Sequence, residues 1–589
     1  MRDGKKRKIF IVVALLGIII GECLISYYFK DSNFFNERLI QENKQNELLI
    51  ISGGVVCHHL LAGETIEQFF QKLSQYQGIE NIVILSLDHY GKAEKQGVHF
   101  LTVKQKENLN INKLVINSLI EKNQQIGLNE ADVFNDQGIA TPLIYLSKYF
   151  SDVFLIPILI SPLAGQDEVK NLIDEINFLL PEGTIIIGSV DFSHYLPDNL
   201  LRLHDIKSIR VLLNFEESEF SNIDVDSWQA LYGVRYFAKL KHQEHPFIIN
   251  HKTSFDYFSE LPSNSQLAQK GGTSCFNVIF GQGKAEKILN QNSVLVVGDI
   301  MMGREVQALT NQFGLSYPFE QIKNIFKGID IIFGNLEGPI MEKAPVISLT
   351  SMNFAYPVEI IQELKKTGFN LLTLANNHTL DKGGKVLEET RNYLLDYGIQ
   401  PLGDYQSCDE QYYYRYQDIL FIGANLVYKN QYCVAEIEKN IKEIKQKEPM
   451  VFIIVVPHWG IEYVHLPNMF QEKTAHILIE AGADLIIGHH PHVVQSIEEY
   501  KGKLIFYSLG NFVFDMYASL DTQQELALGI GFQESKLTIY LVPLQSHKSQ
   551  LSLMSVKEKE DFLSWLAQIS SPSLSSQIKN GLIQQKIKN

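Results

Sequence analysis

The sequence predicts a mixed α/β protein that begins with a membrane-spanning helix. A long apolar run near the N-terminus predicts the helix. From residue 48 onward, short apolar runs alternate with amphipathic stretches, which is the pattern of buried strands joined by helices. The 589 residues, of which 45% are hydrophobic, leave room for about three to five units of ordinary size or for two large ones.

The composition argues against nucleic acid as a partner. Acidic residues number 67 and basic residues 52, which gives a formal net charge of -15. Phosphate binding relies on clustered Lys and Arg, and the acidic balance offers no broad surface of that kind. The same charge disfavours long-range attraction of any polyanion, so a polyanionic ligand would need metal ions or local cations.

Five cysteines are too few and too scattered for a disulfide framework. None of them belongs to a Cys-x-x-Cys pair. The sequence therefore predicts at most one bridge, between Cys408 and Cys433.

Residues 1–30 predict a single-pass anchor with a cytoplasmic N-terminus. A basic cluster at residues 5–8 precedes an apolar run from Ile9 to Phe29, whose only charge is Glu22. A helix of that length spans the roughly 30 Å of bilayer hydrocarbon. Basic flanks stay in the cytoplasm, so the chain after Lys30 should lie outside the membrane. A cleaved signal peptide would need a shorter apolar core and an Ala-x-Ala-like site, so we expect an uncleaved anchor.

The rest of the chain divides into four predicted segments. A polar linker precedes two folded blocks, and the polar stretch at residues 281–292 marks the boundary between the blocks. The segments are a linker at 31–47, a first domain at 48–283, a second domain at 293–545 and a C-terminal tail at 546–589.

Three apolar runs of the first block end in histidine-containing clusters. The clusters are Cys57-His58-His59, Asp88-His89-Tyr90 and Asp191-Phe192-Ser193-His194-Tyr195. In open α/β sheets, ligands gather at the carboxyl ends of strands. We therefore expect these clusters to converge on one cleft.

Five polar clusters follow apolar runs of the second block. They lie at residues 298–304, 334–338, 376–381, 457–463 and 488–492. A lone histidine or aspartate at a strand end is usually a cap or a loop hydrogen bond, but five such clusters favour one functional site. Carboxylate, amide oxygen and neutral imidazole suit Mn, Fe or Zn, and two ions about 3.5–4 Å apart could clamp a phosphoester and activate water. The predicted metal ligands are Asp299, Glu337, Asn377, His458, His490 and His492.

Six motifs occur in order along the second block. They read Gly-Asp-x-Met-x-Gly-Arg from residue 298, Asn-Leu-Glu-Gly from 335, Ala-Asn-Asn-His-x-x-Asp-x-Gly from 375, Pro-His-Trp-Gly-x-Glu-Tyr from 457, Gly-His-His-Pro-His-Val-x-Gln from 488 and Ser-Leu-Gly-Asn-Phe-x-Phe from 508. Over about residues 293–545 the chain resembles the CapA family of capsule poly-γ-glutamate synthesis proteins, which looks like a branch of the calcineurin-like metallophosphoesterases. The resemblance implies a four-layer α/β/β/α sandwich.

This resemblance also implies roles for individual residues. Asp299 matches the first metal aspartate, and Asn377 and His458 match an amide ligand and the central metal histidine. His378 matches the catalytic histidine, with Asp381 shortly after it. The late pair of metal histidines is matched by His490 and His492.

Two positions depart from the phosphoesterase pattern. The first motif is expected to read Asp-x-His but reads Asp299-Ile300-Met301, and the bridging aspartate is replaced by Glu337. With one imidazole missing, a single metal and a changed substrate both stay open beside a two-metal phosphoesterase site.

The histidine clusters of the first block resemble those of the Memo-like family, also called AmmeMemoRadiSam system protein B, which shares its fold with class III extradiol dioxygenases. The resemblance implies a pocket that could hold iron or copper. Its candidate residues are His58, His59, His89, Asp191, His194 and Cys275. Residues 135–138 read Asn-Asp-Gln-Gly where the family often has Glu-His-Ser. A degenerate domain, whose histidines only make local hydrogen bonds, is the alternative.

Together the resemblances predict a membrane-anchored, outward-facing protein that handles an anionic capsule polymer such as poly-γ-glutamate, with membrane synthase subunits as further partners. Arg304, Glu462 and Lys382 are the predicted polymer contacts. Three functions stay open: a metal-dependent hydrolase with His378 as general acid, a non-catalytic factor that holds polymer ends, and a redox-metal protein acting through the first block.

Overall fold

A computed structural model of the chain describes residues 50–90, 99–102, 110–122, 126–128, 133–258, 270–283, 291–345, 348–428, 430–533 and 536–587. The predicted anchor and linker lie outside these residues. Within the described ranges, no helix combines the length and the apolar character needed to cross a membrane.

Strands are distributed along the whole described chain. In chain order they are β1 (Ile51–Val56), β2 (Asn81–Leu87), β3 (His99–Leu101), β4 (Asn110–Ile111), β5 (Ile126–Leu128), β6 (Phe154–Ile160), β7 (Thr184–Ser189), β8 (His194–Leu196), β9 (His245–Thr253), β10 (Gly272–Gly281), β11 (Gln291–Ile300), β12 (Ile331–Leu336), β13 (Ile340–Met341), β14 (Tyr356–Pro357), β15 (Leu371–Thr373), β16 (Gln400–Leu402), β17 (Tyr414–Tyr416), β18 (Ile419–Asn425), β19 (Phe452–His458), β20 (Leu485–Ile487), β21 (Ile497–Tyr500), β22 (Lys503–Phe506), β23 (Asn511–Val513), β24 (Gln524–Gln533), β25 (Lys536–His547), β26 (Gln550–Leu553) and β27 (Leu582–Lys586).

Helices alternate with the strands, as the sequence predicts for an α/β protein. In chain order the α-helices are α1 (Gly63–Leu73), α2 (Lys113–Lys122), α3 (Gln137–Tyr149), α4 (Gln166–Leu179), α5 (Asp198–Asn214), α6 (Trp228–Leu240), α7 (Arg304–Phe313), α8 (Glu359–Thr367), α9 (Gly384–Asp396), α10 (Gln431–Lys447), α11 (Met469–Ala481), α12 (Val556–Ile569) and α13 (Ser575–Lys579).

The described residues group into two compact units that alternate along the chain. The first takes the described parts of Met1–Val190, Gln229–Lys252 and Cys275–Ala285, and the second takes those of Asp191–Trp228, Thr253–Ser274 and Glu286–Asn589. Strand β8 and helix α5 therefore belong to the second unit, although the sequence places them in the predicted first domain.

The first unit is built on a largely parallel sheet. Its strand order is β5-β3-β6-β2-β7-β1-β10, with β4 beside β6 and β9 beside β10. Strand β2 pairs in parallel with β6 and β7, and β1 pairs in parallel with β7. The central strands are buried along almost their whole length, which explains their continuous apolar runs. The three apolar runs that precede the histidine clusters of the first block form β1, β2 and β7.

The second unit contains two sheets that pack face to face. The nine-stranded sheet has the order β16-β15-β12-β11-β24-β25-β26, with β23 on β11 and β27 on β25, and the six-stranded sheet has the order β17-β18-β19-β20-β22-β21. Side chains of both sheets, among them Val296, Phe333, Phe421 and Val456, share one buried core. The opposite face of the six-stranded sheet packs against α10 and α11. The predicted mixed α/β organisation is confirmed.

Helix α5 packs on the nine-stranded sheet of the second unit. It contacts β11, β24 and β25. The approach is close, since a Cβ at Gly529 would lie 2.6 Å from a terminal methyl group of Leu203 and a Cβ at Gly531 would lie 2.5 Å from the terminal methyl group of Ile206, so these side chains would have to shift. The helix is buried on nearly all sides, so it belongs to the core of this unit.

A buried ion pair ties α5 to the start of β12. The guanidinium of Arg210 donates two hydrogen bonds to the carboxylate of Asp330, at 2.9 and 3.0 Å. The backbone N–H of Ser293 donates to the same carboxylate at 2.9 Å. Separation of the two side chains would leave both charges buried and uncompensated. The pair therefore favours the observed position of α5 against the start of β12.

The predicted C-terminal tail is part of the second unit, contrary to its assignment as a separate segment. Strand β27 pairs antiparallel with β25. Helix α12 is amphipathic and buries Phe562, Leu563 and Leu566 in the core shared by the two sheets. The polar composition of this region reflects only the outer face of that helix.

Two disulfides are present among the described residues. The predicted bridge between Cys408 and Cys433 is one of them. The prediction that it is the only bridge is wrong, because Cys57 is bonded to Cys275. These two cysteines are 218 residues apart in sequence, but β1 and β10 are antiparallel neighbours and bring their Cα atoms to 5.4 Å.

One buried carboxyl group makes the stability of the second unit depend on pH. Glu525, on β24, is 1% exposed, and neither of its carboxyl oxygens has a hydrogen-bond partner among the described residues. Burial raises the pKa of Glu525 well above its ordinary value of 4.5. The folded state therefore holds a proton that the unfolded state releases, and the stability from this group is lost as pH rises through the folded-state pKa.

We expect Glu525→Gln to remove this loss. Between pH 4.5 and the folded-state pKa of Glu525, the unfolding free energy of the wild type should fall by up to about 1.4 kcal/mol per pH unit. The unfolding free energy of the variant should not show this fall. Thermal unfolding at a series of pH values checks the prediction: the Tm difference should be smallest near pH 4.5 and should grow in favour of the variant toward pH 8. Glu448→Gln, at a side chain that is 52% exposed, is the matched control and should show no such trend. A pH-independent difference for Glu525→Gln would contradict the prediction.

Candidate metal centre

The polar clusters of the second unit meet because parallel strands end at the same edge of each sheet. Asp299 lies opposite Asn335 in the register of β11 and β12, and Asn335 lies opposite Thr373 of β15. In the facing sheet, His458 ends β19 and forms a bridge to His489, just after β20. Both sheets of the sandwich thus contribute side chains to one buried cluster.

Asp299 is surrounded by hydrogen-bond donors. Asn335 Nδ2 donates to its Oδ1 at 2.7 Å, and the backbone N–H of His490 donates to its Oδ2 at 3.3 Å. The Nδ1 atoms of His489 and His492 each lie 3.4 Å from a carboxylate oxygen of Asp299. Burial alone would raise the pKa of this carboxyl, but the two imidazoles outweigh burial and hold its pKa well below the usual range.

Glu337 is a buried carboxyl group with no hydrogen-bond partner on either oxygen within the described part of the chain. The Nε2 atoms of His378 and His492 lie 3.8 Å from its Oε1. Burial and the negative charge of Asp299 raise the pKa of Glu337 to about 7. An unpartnered buried carboxyl group is costly, so its position suggests that it meets a ligand.

Two imidazoles of the cluster stay neutral. His458 Nε2 lies 2.8 Å from Asn377 Oδ1, and its ring centroid lies 4.9 Å from that of His490. Burial and the neighbouring His490 hold the pKa of His458 well below 6.5, and burial and His492 lower the pKa of His490 to about 4. The Nδ1 atom of His490 is buried without a hydrogen-bond partner among the described residues. A neutral imidazole can donate the lone pair of its unprotonated nitrogen to a metal ion. In His458 the second ring nitrogen, Nδ1, lies 3.3 Å from Asn335 Nδ2.

A layer of amide side chains holds these donors in position. Asn376 Nδ2 donates to Asn335 Oδ1 at 3.0 Å, and Asn335 in turn orients Asp299. Asn511 Oδ1 lies 2.9 Å from His492 Nδ1, which leaves Nε2 of that ring facing Glu337. Burial lowers the pKa of His492, but the two carboxylates prevail and raise it to about 9.

Sequence reasoning missed these supporting residues. Asn335, Asn376 and Asn511 all lie inside the six motifs, but an asparagine after a strand is also a common turn residue. His489 lies beside the predicted ligand His490, and its ring is fully buried with Nδ1 3.4 Å from a carboxylate oxygen of Asp299. For these four residues, the position inside a motif was the one signal in the sequence that could have identified them as part of the site.

His378 and Asp381 form an oriented pair at the edge of the cluster. His378 Nδ1 lies 2.9 Å from Asp381 Oδ2, and the ring packs on Phe354 with centroids 4.4 Å apart. Burial lowers the pKa of His378, but its hydrogen bond to Asp381 and the charge of Glu337 raise it overall. The side chain is 10% exposed, so a proton on Nε2 can reach a ligand in the cleft.

The backbone around the late histidines is strained. His490 and His492 have φ angles of 99° and 60°, in a region that side chains other than glycine rarely adopt. Each such residue costs roughly 1–3 kcal/mol, and strain of this kind concentrates at functional sites. The preceding Gly488 has no space for a side chain, since a Cβ would lie 2.2 Å from the Tyr507 carbonyl oxygen.

Two groups of residues in the cluster could hold a metal ion. Ligand atoms of two sets of residues each lie within 4.8 Å of one another, namely Asp299 with Glu337 and His492, and Glu462 with His490 and His492. Met301, at the position of the missing imidazole, is buried and accepts a hydrogen bond from the Gly303 backbone at 3.1 Å. The thioether therefore faces the backbone.

The three predicted polymer contacts lie in different environments. Glu462 lies with the late histidines, as a possible metal ligand. Arg304 is ion-paired with Asp515, and both side chains are buried, so its guanidinium is not an open anion contact as predicted. The ammonium of Lys382 donates to the side chain of Asn353.

The predicted pocket residues of the first unit include two adjacent histidines. The His58 and His89 rings lie edge to face with centroids 5.0 Å apart. His58 Nδ1 lies 3.1 Å from Ser189 Oγ, and His89 Nδ1 lies 2.7 Å from Asp136 Oδ1. Asp136, which sequence reasoning did not select, also caps α3. His59 is partly exposed and accepts a backbone hydrogen bond in a short helical turn.

The remaining candidates from the first block are placed differently. His194 Nε2 lies 3.8 Å from Asp191 Oδ2, and both residues belong to the second unit. Burial lowers the pKa of His194, but Asp191 raises it overall. Cys275 is bonded to Cys57, so the prediction that it contributes a metal or pocket thiol is corrected: a disulfide sulfur is not a thiolate ligand.

Comparisons with known families and proteins agree with this architecture. Residues 293–516 match the family described as bacterial capsule synthesis protein PGA_cap, and residues 35–244 match the Memo-like protein family. The chain is 33% identical over 245 residues to capsule biosynthesis protein CapA of Bacillus anthracis, which covers 38% of this chain and 60% of that protein. It is 34% identical over 243 residues to PGA biosynthesis protein CapA of Bacillus subtilis (strain 168). This match covers 38% of this chain and 63% of that protein.

The chain therefore spans less than two thirds of the length of these curated relatives. Among solved structures, a purple acid phosphatase from yellow lupin (Lupinus luteus) matches with a TM-score of 0.25 and 11% identity, over 52% of this chain and 65% of that one. A likeness at that score carries no argument about this chain. The family matches confirm the resemblance predicted from the motifs: the earlier part of the chain is similar to Memo-like proteins, and the later part is similar to PGA_cap capsule synthesis proteins.

Proposed function

We propose that the second unit is a calcineurin-like, metal-dependent hydrolase domain that acts on a capsule polymer, poly-γ-glutamate or a related anionic chain. The observation that carries this proposal is the buried carboxyl group of Glu337, which lacks a hydrogen-bond partner among the described residues and faces His492 beside Asp299. A divalent cation would compensate two neighbouring buried carboxylates that otherwise repel each other.

The chain's own residues suit this chemistry. Asp299, Glu337 and His492 would hold one cation, and Asn377, His458 and His490 offer oxygen and nitrogen donors beside it. When bound, a divalent cation polarises the scissile bond and lowers the pKa of water. His378, oriented by Asp381, would donate a proton to the leaving group.

The polymer is inferred from the relatives. Their names assign them to capsule and PGA biosynthesis, and the match covers the part of the chain that carries the metal centre. Mn, Fe and Zn all accept this mixture of oxygen and nitrogen ligands, so the donor set favours none of them.

A non-catalytic role is the second candidate, in which the same pocket only holds polymer during assembly or export. The specific observation in its favour is Met301, which occupies the position of an expected metal imidazole and is turned to the backbone of Gly303. The two roles differ in turnover and not in metal binding.

We also propose that the folded units lie outside the cell membrane, anchored by the apolar run from Ile9 to Phe29. The disulfides Cys57–Cys275 and Cys408–Cys433 support this location, since disulfides persist in oxidising compartments. Membrane synthase subunits remain the proposed partners.

Metal binding is tested directly by elemental analysis. The purified chain, dialysed against Mn or Zn and then against buffer, should retain at least one ion, and Asp299→Asn and His492→Ala should each lower the retained amount by about tenfold or more. His476→Ala is the matched control, because His476 contacts Glu498 outside the cluster. Equal retention by the wild type and both site variants would overturn the metal centre.

Turnover distinguishes the two candidate roles. With metal bound, the wild type should hydrolyse model phosphodiesters or poly-γ-glutamate. We expect His378→Ala to lower kcat by about 10²- to 10⁴-fold while metal retention is unchanged, because general acid catalysis commonly contributes that much. Undetectable hydrolysis by a wild type that retains metal would favour the non-catalytic role.

Thiol labelling tests the location. The protein is denatured directly from cells without a reducing agent, and its free thiols are then labelled. One of the five cysteines, Cys23, should react before reduction, and all five should react afterwards. Reaction of all five without reduction would contradict an oxidising location.

A further inference from the structure

A cavity of 710 Å³ lies in the second unit, outside the cluster of metal donors. Its walls include Glu305 and Phe313 of α7, Tyr317 beyond that helix, Tyr517 and Lys548. Nothing in the sequence motifs singled out this surface. Its aromatic and charged lining is typical of a ligand site, which commonly combines an apolar wall with a few placed polar groups.

The cavity shares a wall with the proposed metal centre. Asp515 lines the cavity and pairs with Arg304, whose guanidinium lies 5.2 Å from the Phe354 ring centroid and 5.5 Å from the Phe514 ring centroid. Phe354 packs on His378, and Phe514 packs on His492 at 4.9 Å between centroids. The cavity and the metal centre are therefore linked through buried, packed side chains.

Aromatic rings form one side of the cavity. Phe313 and Tyr317 are stacked with ring centroids 5.1 Å apart, and Phe313 is 53% exposed. An aromatic ring left open at a cavity wall offers a surface for the methylene groups of a ligand. Tyr517 is fixed at the other side by a hydrogen bond between its hydroxyl group and Ser549 Oγ, at 2.6 Å.

A strained turn presents Lys548 to the cavity. Lys548 and Ser549 form the two-residue connection between β25 and β26, and their φ angles are 48° and 59°. Such turns favour Asn and Gly, so a Lys-Ser pair is held there at some cost. The cost is offset by the buried Ser549 hydroxyl group, which donates to the Phe514 carbonyl oxygen at 2.8 Å.

The lining carries one cation and one anion that are not paired with each other. Among the described residues, neither Lys548 nor Glu305 makes an ion pair, whereas Asp515 is neutralised by Arg304. The site therefore offers one charge of each sign to a ligand that carries an ammonium group and a carboxylate group joined to an apolar stem.

In a γ-glutamyl polymer, only the amino-terminal residue has this character. Each interior residue carries a free α-carboxylate, but its α-nitrogen is part of an amide. The terminal residue carries both an α-ammonium and an α-carboxylate, and its side-chain methylenes lead to the rest of the chain.

We propose that this cavity binds the amino-terminal residue of a γ-glutamyl chain, with its ammonium at Glu305, its carboxylate at Lys548 and its methylenes on Phe313 and Tyr317. This inference rests on the proposed function for the polymer class, and it adds that the chain is recognised from its amino end.

Calorimetric titration of the full-length protein with a γ-linked glutamate tetramer tests the proposal. The titration is carried out after metal removal and again with Mn, because the cavity should bind the tetramer in both states. Acetylation of the tetramer's amino group should weaken binding about tenfold or more, the loss expected for one charged contact. Glu305→Gln should weaken binding of the free tetramer and remove most of the difference between the free and acetylated forms.

Lys548→Gln should weaken both forms about equally, because both retain the carboxylate. The matched control is Lys385→Gln, at an exposed lysine on α9 that is not part of the cavity, and it should leave both affinities unchanged. Equal affinity for the free and acetylated tetramers in the wild type would overturn the inference, as would an unchanged affinity in both cavity variants. Metal retention is measured separately, so these failures are distinguishable from failure of the metal centre.

Discussion

Two carboxyl groups, Asp299 and Glu337, are buried in one cluster, and the arrangement around them compensates their charges. Asp299 is stabilised as an anion by imidazoles, whereas burial and the charge of Asp299 raise the pKa of Glu337 to about 7. The low pKa of His458 and the high pKa of His492 follow from the same pocket. The amides and strained turns described above keep these groups at fixed separations, which a metal site requires.

The sandwich is what makes such a pocket possible. Asp299 and Asn335 come from the nine-stranded sheet, and His458 and His490 come from the facing sheet or its loops. Side chains below them, such as Phe333 and Val456, belong to the core that joins the sheets. Packing between the sheets and geometry at the metal centre are therefore linked, because a shift of one sheet would separate carboxylates from imidazoles.

The apolar runs of the sequence predict the strands well, because strands buried on both faces read as continuous apolar segments. Their polar ends predict the cluster, since parallel strands bring those ends together. The Cys57–Cys275 bridge was missed because pairing across 218 residues depends on the neighbour relation of β1 and β10. The role of α12 was missed because periodicity identifies a helix but not the surface on which its apolar face packs.

Helix α5 belongs to the second unit although it lies outside the part of the chain that matches the PGA_cap family. The PGA_cap family match begins at residue 293, whereas α5 precedes that point and covers β11, β24 and β25. A polypeptide started at residue 291 would open the glycine face of β24 to water and deprive Asp330 of its guanidinium partner. The fusion of the two families is therefore more than a tandem of independent modules: recombination between them in evolution would have to carry this helix along or replace it.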